Sequence, residues 1–182
     1  VFLGTSLTAG LGLDPEQAYP ALIQRKIDSA GLSFEAVNAG VSGETSAGAR
    51  RRIDWLLRQP VSVLVIETGA NDGLRGIDVD SLRANIQAIV DDARRLSPPP
   101  AIILVGMRAP PNLGLGYARR FREVYPDLAE ENDLPLVPFL LEGVAGVPSL
   151  NQSDMIHPTA KGQRRMADMV WKVLEPVLKR AA

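Results

Sequence analysis

Val1-Phe2-Leu3-Gly4-Thr5-Ser6-Leu7-Thr8-Ala9-Gly10 opens the chain as a short apolar run that breaks into small, hydroxyl-bearing residues bracketed by glycines. The pattern predicts a buried strand that ends in a tight loop carrying Ser6. In open α/β sheets, ligands bind outside the carboxyl ends of the strands, so a serine on the first such loop stands where chemistry usually occurs. The hydroxyls of Thr5, Ser6 and Thr8 also suit a turn or a helix cap that satisfies its own backbone. Ser6 is thus a candidate nucleophile whose standing depends on the rest of the chain.

Further apolar runs at 34–38, 61–68, 101–107 and 134–137 join 1–4 as five predicted strands. Between them, apolar residues recur at helical spacing: Leu22, Ile23 and Ile27; Ile53, Leu56 and Leu57; Leu82, Ile86, Ile89 and Val90. A last helix, after residue 157, would bury Met166, Met169, Val170, Val173, Leu174 and Val177. Five strands alternating with helices predict an α/β fold with a parallel sheet covered on both faces. Gly31 has the character of a helix-ending glycine, and Pro98-Pro99-Pro100 stops the third helix before the fourth strand. With no repeat, low-complexity tract or linker to divide them, residues 1–182 are expected to form one domain.

A net charge of −1 provides no basic footprint for nucleic acid, and no apolar run is long enough to imply membrane insertion. Without cysteine there are no disulfides, thiolate nucleophiles or cysteine zinc sites. With one histidine besides, a nitrogen- or sulfur-ligated metal is not expected. Asp91-Asp92 and Glu130-Glu131 are neighbours on helix-like stretches and do not share a face, so they read as solvated surface. Arg50-Arg51-Arg52 likewise points around a helix and reads as a charged outer face.

His157 is the only histidine among 182 residues, so any imidazole chemistry must happen there. It lies in Asp154-Met155-Ile156-His157-Pro158, where the proline disfavours helix at the residue before it and favours a loop. In such a loop Asp154 can accept a hydrogen bond from Nδ1 and leave Nε2 free as a general base. The same spacing also suits a local turn contact. Two more loops lie at the same sheet edge: Asn38-Ala39-Gly40-Val41-Ser42-Gly43-Glu44-Thr45 and Thr68-Gly69-Ala70-Asn71-Asp72-Gly73. Their glycines admit close backbone approach and their asparagine offers amide donors, the parts of an oxyanion hole, although each composition also suits a plain turn.

In this order, strand-end serine, glycine loop, asparagine loop and D-x-x-H-P resemble the SGNH or GDSL hydrolase family across essentially the whole chain. The resemblance is close to the bacterial branch that contains arylesterases and thioesterase I/lysophospholipase L1. It shares that branch's Asn71-Asp72-Gly73-Leu74-Arg75-Gly76 run, the Ala18-Tyr19-Pro20-Ala21-Leu22 entry to the first helix, and Arg108-Ala109-Pro110. The resemblance implies a flavodoxin-like, three-layer α/β/α fold with a five-stranded parallel sheet. It makes Ser6 the nucleophile, His157 the base and Asp154 its orienting acid, with an oxyanion hole from the N–H groups of Ser6 and Gly43 and the amide of Asn71. It also implies a serine esterase or thioesterase for small to medium acyl substrates, working without cofactor or metal.

Leu74 and the 107–117 loop, with Met107, Pro110 and Leu113, are the expected acyl contacts. Members of the branch are often exported, which makes a periplasmic or secreted location the expectation. Rival readings are a carbohydrate O-acetylesterase, for which Trp55 and Trp171 offer little aromatic platform from helices packed on the sheet, and a catalytically silent flavodoxin-like binding module. One departure stands out: the family's G-D-S-L is here Gly4-Thr5-Ser6-Leu7. Threonine retains local hydrogen bonding but lacks the charge and the second oxygen.

Overall fold

The computed structural model describes residues 1–181. Five parallel strands, β1 (Phe2–Gly4), β2 (Asn38–Gly40), β3 (Val63–Glu67), β4 (Ala101–Val105) and β5 (Leu136–Val137), form one sheet in the order β2-β1-β3-β4-β5. Leu3, Leu64, Ile66, Ile103 and Leu104 have no exposed surface. That explains why these strands read as continuous apolar runs: a parallel sheet is covered on both faces. The helices α2 (Tyr19–Ser29) and α7 (Ala160–Ala181) pack together, and α3 (Ser46–Leu56), α5 (Val79–Arg94) and α6 (Leu115–Glu131) form a second packed group. The three layers are those expected.

Strand order places the site. From β1 the chain first adds β2 on one side, then returns past β1 to add β3 on the other. This reversal opens a crevice at the carboxyl ends of β1 and β3, the switch point of such sheets. Two short helices line it, α1 (Ser6–Ala9) directly after β1 and α4 (Ala70–Arg75) directly after β3.

The helices follow their local chemistry. Asp78 caps α5 by accepting from Ser81 N at 3.0 Å, and Leu82, Ile86, Ile89 and Val90 are wholly buried on its inner face. Burial of each such side chain contributes about 1.5–3 kcal/mol. Gly31 has φ +68° just beyond α2, as a helix-ending glycine should. Along α7, Met166, Val170, Leu174 and Val177 are buried, whereas Met169 and Val173 are partly buried and pack at the edge of the core.

Some expectations change. The second strand was expected at 34–38 but forms at Asn38–Gly40, because its register sets Phe2, Leu3 and Gly4 opposite Asn38, Ala39 and Gly40; Phe34 O and Ala36 N bond instead to the Gln24 side chain at 3.1 and 2.6 Å. Both expected loops at Ser6 and Asn71 fold partly as helical turns, and the 107–117 loop ends inside α6. The apolar spacing of Phe121, Val124, Tyr125 and Leu128 marks α6, but Gly114, Gly116 and Pro126 obscure it in the sequence. Trp55 is 64% exposed on α3 rather than packed on the sheet.

Candidate active site

Ser6 is the first residue of α1, so its backbone N–H has no partner within the helix. Thr5 caps this turn, its Oγ1 accepting from Leu7 N at 3.4 Å. Only 9% of Ser6 is exposed, and its hydroxyl lies 2.9 Å from His157 Nε2. The two residues are 151 positions apart, and the loop carrying His157 is fixed at both levels needed to bring them together. Asn151 and Pro158 form an antiparallel bridge at its base, and Gln152 Nε2 donates to Leu11 O at 2.7 Å, tying the loop to the segment after α1.

Asp154 uses its two oxygens differently. Oδ1 accepts from the backbone of Ile156 and His157 at 2.9 and 3.0 Å, and Oδ2 lies 2.6 Å from His157 Nδ1. The turn contact and the ring contact thus coexist. The hydrogen bond from the His157 ring, followed by those from the two backbone N–H groups, holds the Asp154 carboxyl well below the usual carboxylate range. An ionised carboxylate only accepts, so Nδ1 carries the hydrogen and Nε2 is left to accept from the Ser6 hydroxyl.

The opposite wall is equally constrained. Gly43 sits at φ +78° in the turn between β2 and α3, and Arg75 Nη2 donates to its carbonyl at 3.0 Å. Asn71 Nδ2 donates one hydrogen to Glu44 O at 2.9 Å, which orients the amide and leaves its second hydrogen. Glu44 is clamped by Arg52 through Nε–Oε1 and Nη2–Oε2 contacts of 2.7 and 2.6 Å, while Nη2 also reaches Ala39 O at 2.8 Å. Arg50 and Arg51 face solvent as expected, but Arg52 turns inward and serves this loop. Buried Asp72 accepts from Ser46 N and Ser46 Oγ at 2.8 and 2.5 Å, joining α4 to the start of α3. Gly69, the residue before α4, sits at φ +99°, where a Cβ would collide with Tyr125 Oη.

Ser6, Gly43, Asn71 and His157 line one cavity of about 350 Å³. Leu74, Met107 and Pro110 also line it. Leu113 is not among its lining residues: it lies over Gly76, its methyl 3.5 Å from where a Cβ there would be. Leu7, Leu11, Ala70, Leu141 and Ile156 complete the apolar wall, and Arg108 borders it while paired with Glu142 at 3.1 Å. Neither tryptophan lines the cavity.

Beside the nucleophile, where Thr5 replaces the expected aspartate, a carboxyl arrives from another element. Glu67, the last residue of β3, meets Thr5 N at 2.7 Å and Thr5 Oγ1 at 3.0 Å. Its sequence neighbourhood is an ordinary strand, and no motif marked it. Among the described residues, no group of His, Asp or Glu side chains is arranged to hold a metal ion, and no helix is long and apolar enough to cross a membrane.

Residues 2–165 match the GDSL-like Lipase/Acylhydrolase family. The chain is 40% identical over 177 residues to "Esterase TesA" of Pseudomonas aeruginosa, covering 97% of this chain and 87% of that protein. It is 38% identical over 180 residues to "Thioesterase 1/protease 1/lysophospholipase L1" of Escherichia coli, covering 98% and 84%. The crystal structure of a psychrotrophic esterase, EstA from Pseudoalteromonas sp., inhibited by monoethylphosphonate, matches with a TM-score of 0.90 and 34% identity, over 98% of this chain and 97% of that one.

Proposed function

The chain belongs to the GDSL-like lipase/acylhydrolase family, and from that premise we propose that it is a serine hydrolase cleaving small to medium acyl esters or thioesters through an acyl-enzyme. The observation carrying this reading is the continuous hydrogen-bonded chain from Ser6 through His157 to Asp154 at one end of an apolar cavity. In this mechanism His157 Nε2 takes the Ser6 proton as Oγ attacks the acyl carbonyl, and Asp154 holds the imidazolium that forms. The carbonyl oxygen becomes an oxyanion, received by the N–H groups of Ser6 and Gly43 and the free hydrogen of the Asn71 amide. Collapse expels the alcohol or thiol, which takes the proton from His157. Water then attacks the acyl-enzyme by the same route, releasing the acid and restoring Ser6.

Leu74, Met107, Pro110 and their apolar neighbours suit the acyl group. A panel of p-nitrophenyl esters of increasing chain length, beside an acyl-CoA and a lysophospholipid, tests the reading. Hydrolysis that is lost in the Ser6→Ala variant supports it, and inertness towards the whole panel would contradict it.

Asn71→Ala is expected to lower kcat by roughly one hundred- to one thousandfold with KM changed only severalfold, since an oxyanion donor acts on developing charge. Because the Asn71 amide also holds Glu44 O, a melting curve belongs with the kinetics. A lowered melting temperature with kcat intact would leave Asn71 a purely structural role. Thr5→Asp places a second carboxyl against Glu67, and two acids at that distance retain a proton between them. The variant is expected to remain active, with kcat within about tenfold of the parent, which is ~1.4 kcal/mol of transition-state stabilisation. Complete inactivation would show that the turn carrying Ser6 tolerates only a hydroxyl at position 5.

A further inference from the structure

Glu67 is fully buried, and the partners of its carboxyl are hydroxyl and amide groups that flank the nucleophile. Oε2 accepts from Thr5 N at 2.7 Å and from Thr8 Oγ1 at 2.8 Å, and Oε1 lies 3.1 Å from Thr5 Oγ1. Thr8 Oγ1 in turn meets Tyr19 Oη at 2.9 Å, in a side chain that is also fully buried. Space around this group is closed: a Cβ at Gly4 would collide with Thr8 Oγ1 and stand 2.8 Å from Glu67 Oε2. A carboxyl without a cation in such a place costs stability relative to an apolar side chain of similar size. Its contacts therefore need a reason beyond packing, and they converge on the single turn that carries Ser6.

We propose that Glu67 is a positioning residue for the nucleophile, fixing the turn between β1 and α1 by gathering the Thr5 N–H and the Thr5 and Thr8 hydroxyls onto one carboxyl group. Residues 5 and 8 enclose Ser6 on both sides, so this grip sets the direction of its hydroxyl towards His157 Nε2 and of its N–H towards the developing oxyanion. Glu67 acts through Thr5 and Thr8 rather than on the reacting atoms, and the inference rests on the reading of Ser6 as nucleophile. Burial pushes the carboxyl up from its ordinary value while its hydrogen bonds oppose the shift. The neutral form also suits the pattern: one oxygen accepts from Thr5 N and Thr8 Oγ1 while the O–H donates to Thr5 Oγ1. It further avoids setting a negative charge near the one that develops on the substrate. Glutamine reproduces this arrangement, with its carbonyl as acceptor and its amide as donor to Thr5 Oγ1. Leucine fills the space but leaves the Thr5 N–H and the Thr8 hydroxyl without their acceptor.

The test compares wild type, Glu67→Gln, Glu67→Leu and Thr8→Val in steady-state hydrolysis of p-nitrophenyl butyrate, with melting curves and the rate of inactivation by a fluorophosphonate. Glu67→Gln is expected to keep kcat within about threefold. Glu67→Leu is expected to lose about 30- to 100-fold in kcat and in inactivation rate at nearly unchanged KM, the scale of a small misplacement of a reacting group. Thr8→Val, which removes one hydroxyl at constant shape, is expected to lose kcat severalfold in the same manner and keeps the test open if Glu67→Leu does not fold. Wild-type kcat in a folded Glu67→Leu, or in Thr8→Val where the leucine variant fails to fold, would overturn the positioning role. A Glu67→Gln loss as large as that of Glu67→Leu would overturn the neutral hydrogen-bonding account. Wild-type label on a residue other than Ser6 would instead overturn the underlying reading of the nucleophile, independently of these variants.

Discussion

Ser6→Ala is expected to lower kcat by roughly four orders of magnitude or more while leaving the fold intact, the usual scale for loss of a triad nucleophile. Two features make the effect separable from damage to the fold. The Ser6 hydroxyl contacts His157 Nε2, whereas the turn around it is held by Thr5, Thr8 and Glu67. Alanine also suits the first turn of α1, where the serine side chain provides no cap. A melting temperature close to the parent's, with turnover reduced to the residual level of oxyanion donors and binding, is the predicted pair of observations. Turnover near wild type would remove Ser6 from the mechanism.

The second large effect belongs to His157, the only imidazole in the chain. His157→Gln is expected to reduce kcat on a similar scale, by about 10⁴-fold, because among the described residues no other side chain that could act as a general base lines the cavity beside Ser6. The pH profile carries the sign of the argument. Protonated imidazole cannot accept the Ser6 proton, so kcat/KM should be low in acid and rise with pH as His157 becomes neutral. Asp154 is held well below the ordinary carboxylate range by His157 and the backbone, so it stays charged across that rise and the limb should follow a single ionisation. In His157→Gln that limb should be absent from whatever activity remains. A variant with wild-type turnover would mark the imidazole as structural.

Much of this site was legible because its parts are local in sequence or unique in composition. Asp154 and His157 fall within one turn, and Ser6 ends the first apolar run. Their meeting also follows from topology, since parallel strands bring all their carboxyl ends to one edge. What stayed hidden depends on distant partners. Nothing near residue 67 distinguishes a buried glutamate from a strand-end residue facing water, because its function is written in Thr5 and Thr8, some sixty positions away. Arg52 sits in a run of three arginines, and only the placement of Glu44 and Ala39 turns it inward.

The same holds for the misplaced elements. Expected loops became short helices where tertiary hydrogen bonds support them: Asp72 grips Ser46, and Gln163 donates to Leu7 O at 3.1 Å while accepting from Tyr19 N at 2.9 Å. The second strand lies later than its apolar run because pairing with β1 sets Phe2 opposite Asn38, a register that no local pattern reveals. Leu113 was expected at the acyl wall from the composition of its loop, but it lies beside Gly76 and outside the cavity lining.

The site of covalent modification by an organophosphonate, read by mass spectrometry of the digested protein, identifies the serine that attacks. The serines most easily confused with the nucleophile are Ser42 and Ser153, which are exposed, and Ser46, which is buried against Asp72. One phosphonyl group is expected, on Ser6, appearing in step with loss of esterase activity and absent from Ser6→Ala. An adduct on Ser42, Ser46 or Ser153 that tracks the loss of activity, or full inactivation with Ser6 unmodified, would contradict that expectation.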